Sequence, residues 1–346
     1  MRKIWILILF IFILSVPVRA VEYTAPIAPE EAEKYLPENT ASFGEDLWHI
    51  IKTAIAHTQP GITQAAGICF SLIAVTLLIS ILNSFSSISA NITELIAALT
   101  IGTILLQSSR SMIQLGIETV TAISDYGKLL LPVMTAATAA QGGTATSTAI
   151  YTGTVFFNAL LSTAITKLII PMVYVYIALS IAYSALNNEM LINFRDLVKW
   201  AMTWCLKIVL YVFTGYLAIT GVVSGSTDAA TLKATKLAIS GFVPVVGNIV
   251  SDASEAILVS ADVMKNAAGI YGLLSIIAIC VGPFLKISVQ YTLLKLSAAV
   301  CASFGTKRTT GLIKDFSSIM GLLLAMTGTV CLLFLISTVC LMKGVS

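Results

Sequence analysis

The chain has 346 residues, 57% of them hydrophobic and 11% charged, with a mean hydropathy of +0.94. Soluble domains carry roughly 25% charged residues, so this composition excludes an ordinary cytosolic enzyme. A net charge of +3, from 20 Lys+Arg against 17 Asp+Glu, is no basic field and excludes a nucleic-acid binder. Lipid is the main solvent, and the fold class expected is all-α and polytopic.

In chain order, residues 1–20 read as a cleavable signal peptide. Arg2 and Lys3 precede an apolar run from Ile4 to Val16, and Val18-Arg19-Ala20 fits a small-residue cleavage site. An uncleaved, tilted first anchor is the other reading of the same run. Residues 21–60 form an acidic arm, placed outside the cytoplasm by that signal. Seven of the 17 acids lie in it, Pro26, Pro29 and Pro37 interrupt its start, and Phe43, Leu47, Ile50, Ile51 and Ala54 then recur at helical spacing.

The remainder, 61–346, is a membrane domain of about eight apolar runs: 66–82, 92–107, 150–166, 168–186, 200–223, 267–285, 287–304 and 316–342. Each approaches the ~17–25 residues that cross a bilayer. Counted as separate spans from an outside arm, they leave seven Lys/Arg in inner loops and six in outer loops, Arg195 and Lys199 falling outside and Lys307, Arg308 and Lys314 inside. Merging 150–186 into one span gives four inside against eight. Residues 129–149, a Leu-Leu-Leu-Pro stretch followed by an Ala/Thr/Gly/Ser tract, suit either a linker or a re-entrant element.

Chemistry-bearing motifs do not appear: no phosphate-binding loop, HExxH, CxxC pair or G-x-S-x-G. The expectation is a non-enzymatic protein without cofactor or metal. His49 and His57 are too far apart for an i,i+4 metal pair, and all six cysteines fall in or beside apolar runs, as buried small hydrophobes do. No Asp, Glu or His interrupts the strong runs, which argues against a self-energised proton antiporter. Lys167, Lys207 and Lys286 suit snorkelling. Lys295 lies deeper and is expected to face a polar interior or a partner subunit.

Residues 241–266 break the apolar pattern. Pro244 and Gly247 follow Phe242, and Asp252 with Glu255 then has capping-box spacing. At 100° per residue Asp252, Glu255, Val259, Asp262 and Asn266 fall within an arc of about 80°, an acidic stripe on an amphipathic helix. The two acids either cap that helix, or the stripe lines an aqueous path or docks a partner.

This stretch and its continuation resemble the stage III sporulation protein AE family of endospore formers. The resembling residues include Phe242, Pro244, Val245, Val246, Gly247, Ser251, Asp252, Glu255, Lys265, Asn266, Gly269, Gly272, Cys280, Pro283 and Lys286. The resemblance implies a multi-pass component of the stage III A complex in the mother-cell membrane around the forespore. Its implied partners are other proteins of that operon, including a separate ATPase, and a forespore-side channel protein. Together they would form a channel sustaining late forespore gene expression. Phe242, Pro244, Gly247, Asp252, Glu255, Asp262 and Lys295 are the candidate partner or pore contacts. A stand-alone secondary transporter of a small solute is the alternative.

Overall fold

The computed structural model describes residues 26–37, 42–85, 90–140, 144–219 and 267–343, and among them the regular structure is all helical, without strands. A four-residue turn, α1 (Glu30–Glu33), precedes α2 (Phe43–Phe85) and α3 (Ala90–Ala140). Next, α4 (Thr144–Ala164) runs through a π-helical turn (Ile165–Ile169) into α5 (Ile170–Leu186) without a break. They are followed by α6 (Glu189–Ile219), α7 (Ala267–Cys301) and α8 (Lys307–Lys343). Six helical segments among the described residues are long and apolar enough to cross a membrane, α4 and α5 counting as one.

Local chemistry explains the boundaries. Ser42 accepts the Glu45 N–H at 3.3 Å, so Ser42-Phe43-Gly44-Glu45 caps α2. Between α5 and α6 the chain reverses in two residues. Asn187 takes the left-handed conformation (φ 54°), and its N–H reaches the Tyr183 carbonyl at 2.9 Å. Asn tolerates that region better than other side-chain-bearing residues. Asn188 then accepts the Met190 N–H at 2.9 Å and starts α6. Thr306 caps α8 through the Thr309 N–H at 3.3 Å. The π turn has its own cause: Pro171 has no N–H to give the Lys167 carbonyl, and the helix widens there instead of stopping.

Cross-helix contacts fix the directions. Glu94 meets Arg308 and Gly127 meets Phe334, so α3 and α8 run parallel. Thr154 with Ser337 and Tyr176 with Asp315 make the α4–α5 segment antiparallel to α8. Gln290 with Ser108 and Gly272 with Leu130 make α7 antiparallel to α3. Consecutive segments therefore alternate. One pole carries the α5–α6 and α7–α8 turns. The other carries the docked arm, the end of α3, Ile219, Ala267 and the end of α8. The centre is α8, packed on α3, α4, α5, α6 and α7, with α7 beside it and α2 laid over α7 and α3.

Several sequence expectations take a different form. The arm's amphipathic pattern is present, with Phe43, Leu47, Ile50 and Ala54 buried, but it is the first part of α2 and continues directly into the 66–82 run. Lys167 divides 150–166 from 168–186 in the sequence, yet the backbone passes through it as helix. Runs 267–285 and 287–304 likewise share α7 up to Cys301. Most of 129–149 is helical, ending α3 and beginning α4. All six cysteines are free, five of them buried and Cys205 half-buried.

The closest approach is at Gly127, where any Cβ would overlap the fully buried Phe334 ring. Overpacking a tight core costs roughly 1–3 kcal/mol. Gly127→Ala is expected to lower the unfolding midpoint in detergent, whereas Gly44→Ala, with nothing within 4 Å, leaves it unchanged or raised.

Candidate functional site

Of the residues singled out from sequence, Phe242, Pro244, Gly247, Asp252, Glu255 and Asp262 lie outside the described residues. Their flanks, Ile219 and Ala267, sit at the arm's pole. Lys295 is exposed on α7. Its Nζ donates to Tyr291 Oη at 3.4 Å and lies 5.4 Å from that ring's centroid, one helical turn away. Lys167 and Lys286 are exposed and Lys207 is half-buried. No other candidate is brought to Lys295.

The polar centre that the fold does assemble lies at the opposite pole. Arg195, one and a half turns into α6, is only 13% exposed at its side chain. Its Nη1 donates to Asp315 Oδ2 of α8 at 2.7 Å, and its Nε and Nη2 donate to Asp196 Oδ1 at 3.0 and 2.8 Å. The guanidinium also lies 5.6 Å from the Tyr183 ring centroid. Asp315, equally buried, takes a second hydrogen bond from the Tyr176 hydroxyl of α5 at 3.1 Å. Nearby, Arg308 pairs with Glu94 of α3, and its carbonyl accepts the Ser184 hydroxyl at 3.3 Å. Two arginines and two carboxylates thus tie α3, α5 and α6 to α8.

Geometry of this kind clamps helices. The carboxylates already hold cationic partners, and among the described residues no group of three His, Cys, Asp or Glu side chains is placed to bind a metal. The pair Arg195–Asp315 also joins segments that the eight-run tally puts on opposite sides of the membrane. A 2.7 Å ion pair requires one side. Sequence reasoning passed over Asp315 because it precedes the 316–342 run by one residue and looks like a loop acid. The usable signal was its position within a turn of Arg308 at the head of the most apolar helix.

Smaller polar contacts sit deeper. Thr154 donates to Ser337 at 2.8 Å, and Ser124 donates to Asn158 at 3.1 Å. The arm docks through Tyr35, edge-on to His57 at 5.9 Å and set against Gly282, and through the Tyr126 hydroxyl, which donates to the Pro26 carbonyl at 3.3 Å.

Comparison with known proteins gives two matches. The family model for stage III sporulation protein AE matches residues 33–344. Stage III sporulation protein AE of Bacillus subtilis (strain 168) is 26% identical over 203 residues, covering 58% of this chain and 50% of the relative. The match thus spans about half the relative's length. No solved structure matches the chain.

Removing one member of a buried ion pair costs roughly 3–5 kcal/mol, while replacing both with apolar residues is often near neutral. Arg195→Leu strands Asp315 with only the Tyr176 hydroxyl, whereas Asp315→Asn leaves Arg195 its Asp196 partner. Unfolding in detergent micelles is therefore expected to rank Arg195→Leu as the more damaging, with Arg195→Leu/Asp315→Leu recovering most of the loss.

Proposed function

We propose that this chain, which belongs to the stage III sporulation protein AE family, is a multi-pass component of the stage III A complex in the mother-cell membrane around the forespore. It serves there as a non-enzymatic part of the channel that sustains late forespore gene expression. The observation that carries this reading is the family match across 33–344, borne by a body of six apolar crossing segments. Energy comes from a separate ATPase of the same operon, and a forespore-side protein completes the passage. A stand-alone secondary transporter is not favoured by the family assignment.

The arm's pole faces the space between the two membranes in this reading, because the arm follows an export signal. The other pole then faces the mother-cell cytoplasm, which suits Arg195, Lys199, Lys307, Arg308 and Lys314 near its short turns. It also puts both flanks of 220–266 on the intermembrane side, where the acidic stripe would meet a partner or line the path.

Two experiments test this. Deleting the gene in a spore former is expected to abolish late forespore gene expression after engulfment, with restoration by the intact gene; normal expression rejects the reading. Single cysteines at 190 and 310 are expected to label from the cytoplasm, and those at 145 and 230 from the other side. Labelling of 190 and 310 from opposite faces returns the topology to eight spans.

A further inference from the structure

At one depth in the bundle the two flanks of the molecule present opposite chemistry. On α3, Arg110, Gln114, Glu118, Thr121, Asp125 and Lys128 are all exposed. At 100° and 1.5 Å per residue they occupy an arc of about 80° and a length of roughly 27 Å, close to the ~30 Å hydrocarbon core. Their groups pair along the helix: the Gln114 amide donates to Glu118 at 2.8 Å, and the Lys128 ammonium donates to Asp125 at 2.7 Å. The opposite face of α3 is packed, with Ile113, Val120 and Ile123 buried.

The depth of this stripe is set by its neighbours. A Cβ at Gly116 would meet Met326 Cε at 3.1 Å, and Gly127 lies against Phe334, so the stripe runs beside the apolar middle of α8. Level with the same part of α8, α4 and α6 expose Phe156 (59%), Ile208 (51%) and Val212 (53%). The link across the bundle is direct: Ser337 of α8 holds Thr154 of α4, and Phe157 packs on Phe213 of α6 at 5.4 Å. Lipid suits the α4–α6 flank. It does not suit the α3 flank, since an Arg at the centre of a lipid-facing helix costs roughly 2.5–3.5 kcal/mol on insertion scales, and ionisable groups at that depth face water or protein.

We propose that the Arg110–Lys128 stripe of α3 lines an aqueous passage whose remaining wall comes from further copies of this chain. A convex bundle with one polar flank closes no passage alone, and closed rings of identical subunits present the same face to a common axis. Because the stripe's amide and charges are paired along their own helix, its needs are met by water rather than by a complementary protein surface. The inference rests on the channel reading above and gives it a pore-lining element. The passage admits hydrophilic solutes, with both charge signs on its wall.

The test is thiol accessibility in membranes carrying the full-length chain, using a membrane-impermeant, water-soluble thiol reagent. Gln114→Cys, Glu118→Cys and Thr121→Cys are expected to react at least about tenfold faster than Ile113→Cys and Val120→Cys, because the thiolate is the reacting species and apolar surroundings suppress it. Ile208→Cys and Val212→Cys are expected to stay as slow as the buried pair. A short bifunctional thiol reagent is expected to join copies through Gln114→Cys. Equal rates at 113 and 114, or fast reaction at 208 and 212, overturn the aqueous face. Fast labelling at 114 without joined copies overturns the homomeric wall. The deletion phenotype judges the channel-component reading separately, so either can fail while the other stands.

Discussion

Hydrocarbon offers no hydrogen bonds, and every feature of this protein answers to that. Backbone groups in lipid must find partners within their own segment, which selects helices. Continuity follows from the same constraint. Where the sequence shows a break, at Lys167 or across the Ala/Thr/Gly/Ser tract, the backbone stays helical or nearly so, because an open turn at that depth would strand carbonyls. Pro171 tests the rule at its weakest point, and the response is a widened turn rather than a broken helix.

Side chains obey the same constraint by forming closed pairs. Buried Thr and Ser hydroxyls of the interior repeatedly return to the carbonyl four residues back, as Thr76 does to Leu72 and Thr338 to Phe334. Charges that enter the bundle do so in opposite-sign pairs at one pole, where Arg195 and Arg308 meet Asp315 and Glu94. In such a medium an ion pair serves more as a device that fixes which helices meet than as a source of stability. The clamp sets the register of α3, α5 and α6 against α8, and the depth of everything those helices carry.

The class of fold was legible from composition, and the apolar periodicity of Phe43, Leu47, Ile50 and Ala54 located a buried face correctly. The number of helical segments was less legible. A lysine in an apolar run reads as a loop in one dimension, yet Lys167 and Lys286 simply extend their stems from continuous helices. The ion pairs were invisible for a different reason: 120 residues separate Arg195 from Asp315, and only packing brings them together. The α3 stripe was readable in principle, since Arg110, Gln114, Glu118, Thr121, Asp125 and Lys128 keep helical spacing. What hid its meaning was depth, because the sequence alone suggests that α3 leaves the membrane where its polarity rises.

That stripe is exposed because the other face of α3 packs too well to be given up. Gly116 and Gly127 let Met326 and Phe334 approach the α3 backbone, and Ile113, Val120, Ile123 and Leu130 fill the remaining contact with α8 and α7. Turning α3 by half a revolution would hide Arg110 and Glu118 from lipid only by pressing them onto Leu323 and Phe334. Two uncompensated charges in that interior cost more than the same charges at a wall that water can reach. The fold therefore resolves its own packing and leaves the polarity of one flank to be resolved by assembly. A protein with this division of surfaces is complete only in company, which is the physical sense in which a part of a larger complex differs from a transporter that works alone.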